Sequence, residues 1–209
     1  MVNAKSEQQT AYSRLNAKAV IKFLCLFVFT YGLLMAAWPV VGTVYSNFYR
    51  TAGAFLFGSF GRGNVARFSR SDKMQYDICI TAFNRYSSNE NGDIQASRFY
   101  HNIRYGDYIH IAFLAALVVA TPLPLRRRGQ ALIWALVLMH AFIALKIAII
   151  IMSLLNIAVG KNCGLADRNI ELTEYIANGF IIAFLIWVLV SFRGKNCFKA
   201  FLQHFSVQT

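Results

Sequence analysis

Residues 131–159 read ALIWALVLMHAFIALKIAIIIMSLLNIAV, a run with a single lysine and no acidic residue. A membrane-spanning helix needs about 20 mostly apolar residues, because each adds ~1.5 Å and the hydrocarbon core is ~30 Å thick. The run is long enough to cross. It therefore predicts a membrane-spanning helix.

The composition of the whole chain also indicates a membrane protein. Of the 209 residues, 57% are hydrophobic and only 14% are charged, whereas soluble domains are about 45–50% apolar. This apolar content excludes intrinsically disordered chains, which cannot bury enough apolar surface to offset the entropy of ordering.

Three further stretches predict spans, at residues 19–41, 108–125 and 175–192. The one at 108–125 is the shortest, and Pro122 and Pro124 are expected to end it. Tyr31 and Trp38 stand where a signal peptidase site would have small residues, so we expect the first span to be retained. The predicted fold class is mainly α, a four-helix transmembrane bundle with a small extracytoplasmic β-rich insertion between the first two helices.

Basic residues predict the orientation of these spans. With both termini cytoplasmic, the inner segments 1–18, 126–130 and 193–209 and the start of the first span hold one acid, Glu7, against ten basic residues: Lys5, Arg14, Lys18, Lys22, Arg126, Arg127, Arg128, Arg193, Lys195 and Lys199. The arginine triplet is expected to lie at lipid headgroups, so the net charge of +12 requires no nucleic-acid partner. The expected location is the bacterial inner membrane.

The segment 42–107 is too long for a simple connection and should carry its own structure. Residues 43–57 have apolar positions at helical spacing, which predicts an extension of the first helix or a helix in the membrane interface. Glycines 58, 61 and 63 should end it. Residues 74–82 then alternate as in a strand, 94–103 form a second candidate strand after a turn at 87–93, and 65–70 form a poorer third. A hairpin or small sheet is only marginally stable alone and needs to pack against the membrane surface or a partner. This need indicates an interaction role.

Cysteines and histidines do not form a predicted metal site, and nothing in the sequence indicates a cofactor. Cys79 and Cys163 both fall on the outer side, where they are either joined by a disulfide or free. Cys25 in the first span and Cys197 in the tail are expected to be free thiols. His101 and His204 are expected in solvated or interfacial surroundings.

The span at 131–159 contains two ionisable residues, His140 and Lys146, at depths where such groups are costly unless they are paired or reach the interface. Their spacing of six positions places them about 120° apart on the helix, so they are not expected to act together directly. In one interpretation His140 packs in neutral form and Lys146 extends to the outer interface. In the other, Lys146 pairs with an anionic lipid or substrate group or with an acid: Asp107, Asp167, Glu171 or Glu174.

Residues 98–151 include RFYHNIRYGDYIH, the basic turn PLPLRRRG and the first part of the next helix, ALIWALVLMHAFIALKIAIII. This order resembles the central part of exosortase and archaeosortase membrane proteins, over about a quarter of the chain. The resemblance implies an outer-face catalytic segment before the second helix, and it places the family's helix arginine at Lys146. No cysteine nucleophile occurs in 98–110, and no histidine follows Lys146 until His204.

Three functions remain open at this point. The leading hypothesis is a non-catalytic accessory, assembly or interaction subunit that binds other membrane proteins. The alternative is a divergent exosortase-like peptidase or acyl transferase at the outer face, using Lys146, His140 or Arg104 electrostatically, with Cys79 or Cys163 as nucleophile. The third is a small transporter component, with His140, Lys146 and Asn178 along a polar path.

Overall fold

The computed structural model describes residues 2–58, 63–88, 94–158 and 179–191. The chain is mainly helical and carries a small sheet, which confirms the predicted fold class in this coarse form. The described helices are α1 (Val2–Ala36), α2 (Trp38–Phe57), α3 (Ile109–Ala120), α4 (Leu125–Ala158) and α5 (Gly179–Ser191). The strands are β1 (Asn64–Arg70), β2 (Ile78–Ser88) and β3 (Ile94–His101), and a π-helical turn, Arg104–Tyr108, follows β3.

The chain divides into two compact units. The helical unit comprises Met1–Ala36, Ile111–Met139 and Ala183–Thr209, and the sheet unit comprises Ala37–His110 and His140–Ile182.

Two stretches of the described helices are long and apolar enough to cross a membrane, Ala17–Ala36 and Leu125–Asn156. They coincide with the spans predicted at 19–41 and 131–159. At the span predicted for 108–125 the structure has α3, which has only 12 residues and is not one of these two stretches. The π-helical turn precedes α3, and Pro122 and Pro124 follow its end. The described part of the last predicted span is α5, an apolar helix of 13 residues.

The first helix ends at Ala36 rather than continuing to Val41. Pro39 explains the break, because a proline inside a helix removes a hydrogen bond and clashes with the carbonyl four residues earlier. The proline is instead accommodated in the first turn of α2. Residues 43–57 therefore belong to a separate helix, α2, which ends before Gly58 as predicted.

Aromatic and hydroxyl side chains connect the helices of the helical unit. The Phe27 ring of α1 lies edge-on to Phe113 of α3, with centroids 5.5 Å apart. Trp187 of α5 donates its indole N–H to the hydroxyl of Thr121, just beyond α3, at 2.8 Å. That hydroxyl in turn donates to the Leu117 carbonyl at 2.7 Å, so these polar groups are paired inside an apolar unit.

The described strands form an antiparallel sheet in the order β1-β2-β3. Ile78, Ile80 and Ala82 of the central strand are buried, as their alternation predicts. The strand begins at Ile78 rather than at 74. Residues 72–75 form bends and a turn, within which Met74 is fully exposed.

Helix α2 packs closely on the sheet. Its buried residues Gly42, Tyr49 and Gly53 share one face. A Cβ at Gly53 would lie only 2.6 Å from the Phe68 ring of β1. Glycine at this position therefore permits the close approach of helix and strand.

Candidate functional site

The sheet unit contains a buried carboxylate held between two basic side chains. Asp107, in the π-helical turn, has no exposed surface. Its Oδ2 lies 2.6 Å from His101 Nε2 at the end of β3, and its Oδ1 lies 2.6 Å from Lys146 Nζ of α4. We call His101, Asp107 and Lys146 the ion cluster.

The local sequence explains how the π-helical turn brings Asp107 to His101. Asn102 begins the turn, because its carbonyl accepts the Gly106 amide at 2.8 Å and its side-chain oxygen accepts the Tyr105 amide at 3.2 Å. A Cβ at residue 106 would lie 2.5 Å from the His101 ring. Gly106 therefore leaves the room in which the imidazole lies against the turn.

Hydrogen bonds also fix the start of the turn to the loop before β2. Asp77 accepts the Ile103 amide at 2.9 Å through its carboxylate and donates its own amide to the His101 carbonyl at 3.1 Å. The Asn102 side chain donates to the Gln75 carbonyl at 2.8 Å. Together these bonds hold the end of β3 and the turn in one position.

Lys146 binds the turn as well as the carboxylate. Its Nζ donates to the Gly106 carbonyl at 3.2 Å, and Nδ1 of His110 donates to the same carbonyl at 3.2 Å. Lys146 is only 8% exposed. A buried ammonium of this kind is tolerable because anionic and neutral acceptors both surround it.

The electrostatics favour an ionised Asp107. Burial by itself would raise the pKa of this carboxyl, but the hydrogen bond and charge of His101, together with those of Lys146, outweigh burial and hold its pKa well below the usual range. The pair of 2.6 Å contacts therefore joins a carboxylate to its donors.

Tyr49 of α2 covers the ion cluster. Its ring is stacked on the His101 ring, with centroids 5.9 Å apart. Its hydroxyl is buried and has no hydrogen-bond partner in the described part of the chain. Burial raises the pKa of Tyr49 well above its ordinary value, and the nearby charge of Asp107 adds to the effect. The phenol is therefore neutral.

Of the three candidate catalytic residues Lys146, His140 and Arg104, the structure places only Lys146 in the ion cluster. It pairs with Asp107, one of the four candidate acids; the other three lie outside the described residues. His140 lies instead against α2, with its ring centroid 6.4 Å from those of Tyr45 and Phe48.

Arg104 belongs to the π-helical turn but contacts a different neighbour. Its guanidinium lies 5.5 Å from the centroid of the Tyr105 ring. Its buried Nε has no hydrogen-bond partner within the described ranges.

The arginine triplet is helical, whereas the sequence predicts a turn at 126–130. Helix α4 begins at Leu125, directly after Pro124, so the arginines form its first turn. Arg126 and Arg127 are exposed. Arg128 donates to the Leu123 carbonyl at 3.2 Å.

His101 is the functional residue that the sequence prediction placed wrongly. It is expected in solvated or interfacial surroundings, yet it is buried and bonded to Asp107. Its immediate neighbours along the chain, Tyr100 and Asn102, carry polar groups, and Tyr49 lies far from it in sequence. The sequence feature that could have indicated a buried site here is the Gly-Asp pair at 106–107 next to an apolar helix.

Cys79 is a free, buried thiol on β2, 3.8 Å from the Thr81 hydroxyl. Of the two predicted alternatives for Cys79, a disulfide with Cys163 or a free thiol, the structure therefore has the free thiol. Cys163, Cys197, His204 and Asn178 lie outside the described residues. Cys25 is a free, exposed thiol, as expected. Among the residues that the structure describes, no group of three or more metal-ligating side chains occurs.

No family model, curated protein or solved structure matches this chain.

Proposed function

We propose that this chain is a non-catalytic multi-pass membrane protein, an accessory or assembly subunit whose sheet unit binds other membrane proteins at the outer face. The observation that carries the proposal is that the ion cluster is buried and its hydrogen-bonding atoms on Asp107 are already bonded within the protein. Both oxygens of Asp107 are occupied, and its side chain has no exposed surface. Such a carboxylate connects β3, the π-helical turn and α4 and has no free atom for a substrate.

The exposed side chains support a membrane location. Large apolar residues lie exposed along the helices with the composition of spans, among them Val28, Phe29 and Leu33 of α1 and Ile133, Val137 and Leu145 of α4. In water this surface would favour association, whereas lipid tails cover it without cost. The four spans, the cytoplasmic termini and the bacterial inner membrane all belong to this proposal.

Helix α2 offers the surface for a partner. Val40, Val44, Phe48 and Phe55 are exposed, and helical geometry places them within about 80° of one another. We call these four residues the apolar face of α2; it lies opposite Gly42, Tyr49 and Gly53. A partner with an apolar helix of its own would bury it.

Photo-crosslinking tests the proposal. A photoreactive amino acid replaces Phe55, which is 88% exposed, or Met74, which is exposed on the loop before β2 and serves as the matched control. We expect a discrete, reproducible adduct with one companion membrane protein from position 55 and none from position 74, after purification in mild detergent. Recovery of the monomer alone from both positions would contradict the proposal.

A divergent exosortase-like enzyme is the second candidate. It is favoured by the closeness of Asp107 and Lys146, because the resemblance places the catalytic segment just before the second helix and the helix arginine at Lys146. This activity needs a thiolate near the ion cluster. Substituting both Cys79 and Cys163 by alanine would abolish processing of a membrane-protein substrate in this alternative and would leave an accessory role intact.

A further inference from the structure

A groove of about 500 Å³ lies within the sheet unit, between α2 and the end of β1 with the loop that follows it. Its volume falls in the range of about 300–1,000 Å³ that is usual for small-ligand sites. It is separate from the ion cluster, none of whose three residues lines it.

One wall of the groove is a polar face of α2. Thr43, Ser46, Asn47 and Arg50 line it, and their spacing of three, four and seven positions places them on one side of the helix. Arg50 donates to the side-chain oxygen of Asn47, one turn earlier. The guanidinium is therefore oriented by its own helix.

The opposite wall brings two more cations. Arg70, at the end of β1, and Lys73, in the following loop, both line the groove, and the Lys73 ammonium lies 4.0 Å from the centroid of the Tyr100 ring. No ion pair joins Arg50, Arg70 or Lys73 to an acid among the residues that the structure describes.

Two acids also line the groove, but one has a structural task. Asp77 accepts the Ile103 amide, whereas Asp72 is exposed. Three cations thus face two carboxylates, one of them engaged by the backbone. This balance fits an anion that carries polar substituents better than a bare anion.

The position of the groove along the chain indicates where such an anion would come from. Trp38 and Pro39 line the groove, and the apolar stretch Ala17–Ala36 ends two residues before Trp38. Tryptophan at the end of a span is typical of the membrane interface, where phosphate groups of lipids lie.

We propose that this groove binds a glycerophosphate group, as in the headgroup of an anionic phospholipid. The Arg50 and Arg70 guanidinium groups bind the phosphate oxygens, for which their planar donor pairs are suited. Thr43, Ser46 and Asp72 bind the glycerol hydroxyls. That the ligand is a lipid rests on the membrane location proposed above. That the groove binds a phosphate group does not rest on it.

The test measures ligand binding by the full chain in a phosphate-free neutral detergent. The probes are phosphatidylglycerol, diacylglycerol as the lipid without a phosphate, and soluble glycerol phosphate, with native mass spectrometry as the readout. We expect phosphatidylglycerol to bind and diacylglycerol not to bind. Arg50→Gln and Arg70→Gln should each weaken binding about tenfold or more, because each removes a charge-assisted hydrogen bond.

Arg67→Gln is the matched control, since Arg67 is an exposed arginine of the same strand as Arg70 and does not line the groove. It should leave binding unchanged, and the melting temperature without ligand should be the same for all three variants. Equal binding of glycerol phosphate would support the groove and assign it a soluble ligand. If all three substitutions weakened phosphatidylglycerol binding equally, or if none of them weakened it, the proposal would be overturned.

Discussion

Replacing Lys146 by methionine tests the ion cluster most simply, because methionine fills a similar volume without the charge. Asp107 would keep its bond to His101 but lose the 2.6 Å contact to Nζ, inside a site where it has no exposed surface. Removing one partner of a buried ion pair costs about 3–5 kcal/mol, since the other charge stays buried. We therefore expect Lys146→Met to lower the free energy of unfolding by about that amount.

The assay is denaturant or thermal unfolding in detergent, with Lys18→Met as the control. Lys18 is exposed on α1, and its replacement should change the free energy of unfolding by no more than about 0.5 kcal/mol. The double variant Asp107→Asn/Lys146→Met removes both charges and should be less destabilised than the two single effects added together. Additive effects, or a cost for Lys146→Met equal to that of the control, would refute the reasoning.

Three further predictions follow from the same structure. Because the pKa of Asp107 is lowered in the folded protein, its stabilising effect is complete above the unfolded-state pKa of about 3.9 and is lost as the pH falls below it; unfolding curves of Asp107→Asn should lack this acid dependence. Gly53→Ala should destabilise by about 1–3 kcal/mol through overpacking against Phe68, whereas Gly32→Ala, with nothing within 4 Å of its Cβ, should be neutral or slightly stabilising. Trp187→Phe should cost about 0.5–1.5 kcal/mol because it removes the bond to Thr121, and an unchanged melting temperature would contradict the structure.

Local patterns in the sequence account for most of the secondary structure. The apolar runs at 19–41 and 131–159 predict the two long apolar stretches, and the alternation around Ile78 and Ile80 predicts the central strand. The exact ends of the helices and strands were less predictable. The end of α1 depends on Pro39, and the start of β2 depends on turns whose hydrogen bonds involve residues distant in sequence.

The candidate site was predictable only in part, for a physical reason. A lysine inside an apolar helix is costly, so the sequence predicts an acidic partner among other possibilities. The choice of Asp107 depends on a contact across 39 positions, which no local pattern contains. The burial of His101 depends in the same way on Gly106 and on the ring of Tyr49, which pack against it only in the folded chain.

Labelling in intact cells tests the central claim, that the chain crosses a membrane and carries its sheet unit on the outer side. The native cysteines are first replaced by serine, and Met74→Cys then gives a site on the exposed loop before β2. A second variant keeps Cys197 alone, in the tail. With a membrane-impermeant maleimide we predict labelling of intact cells at position 74, and labelling at position 197 only after permeabilisation. Labelling of the tail site in intact cells, or a chain that stays monodisperse in buffer without detergent, would contradict the account.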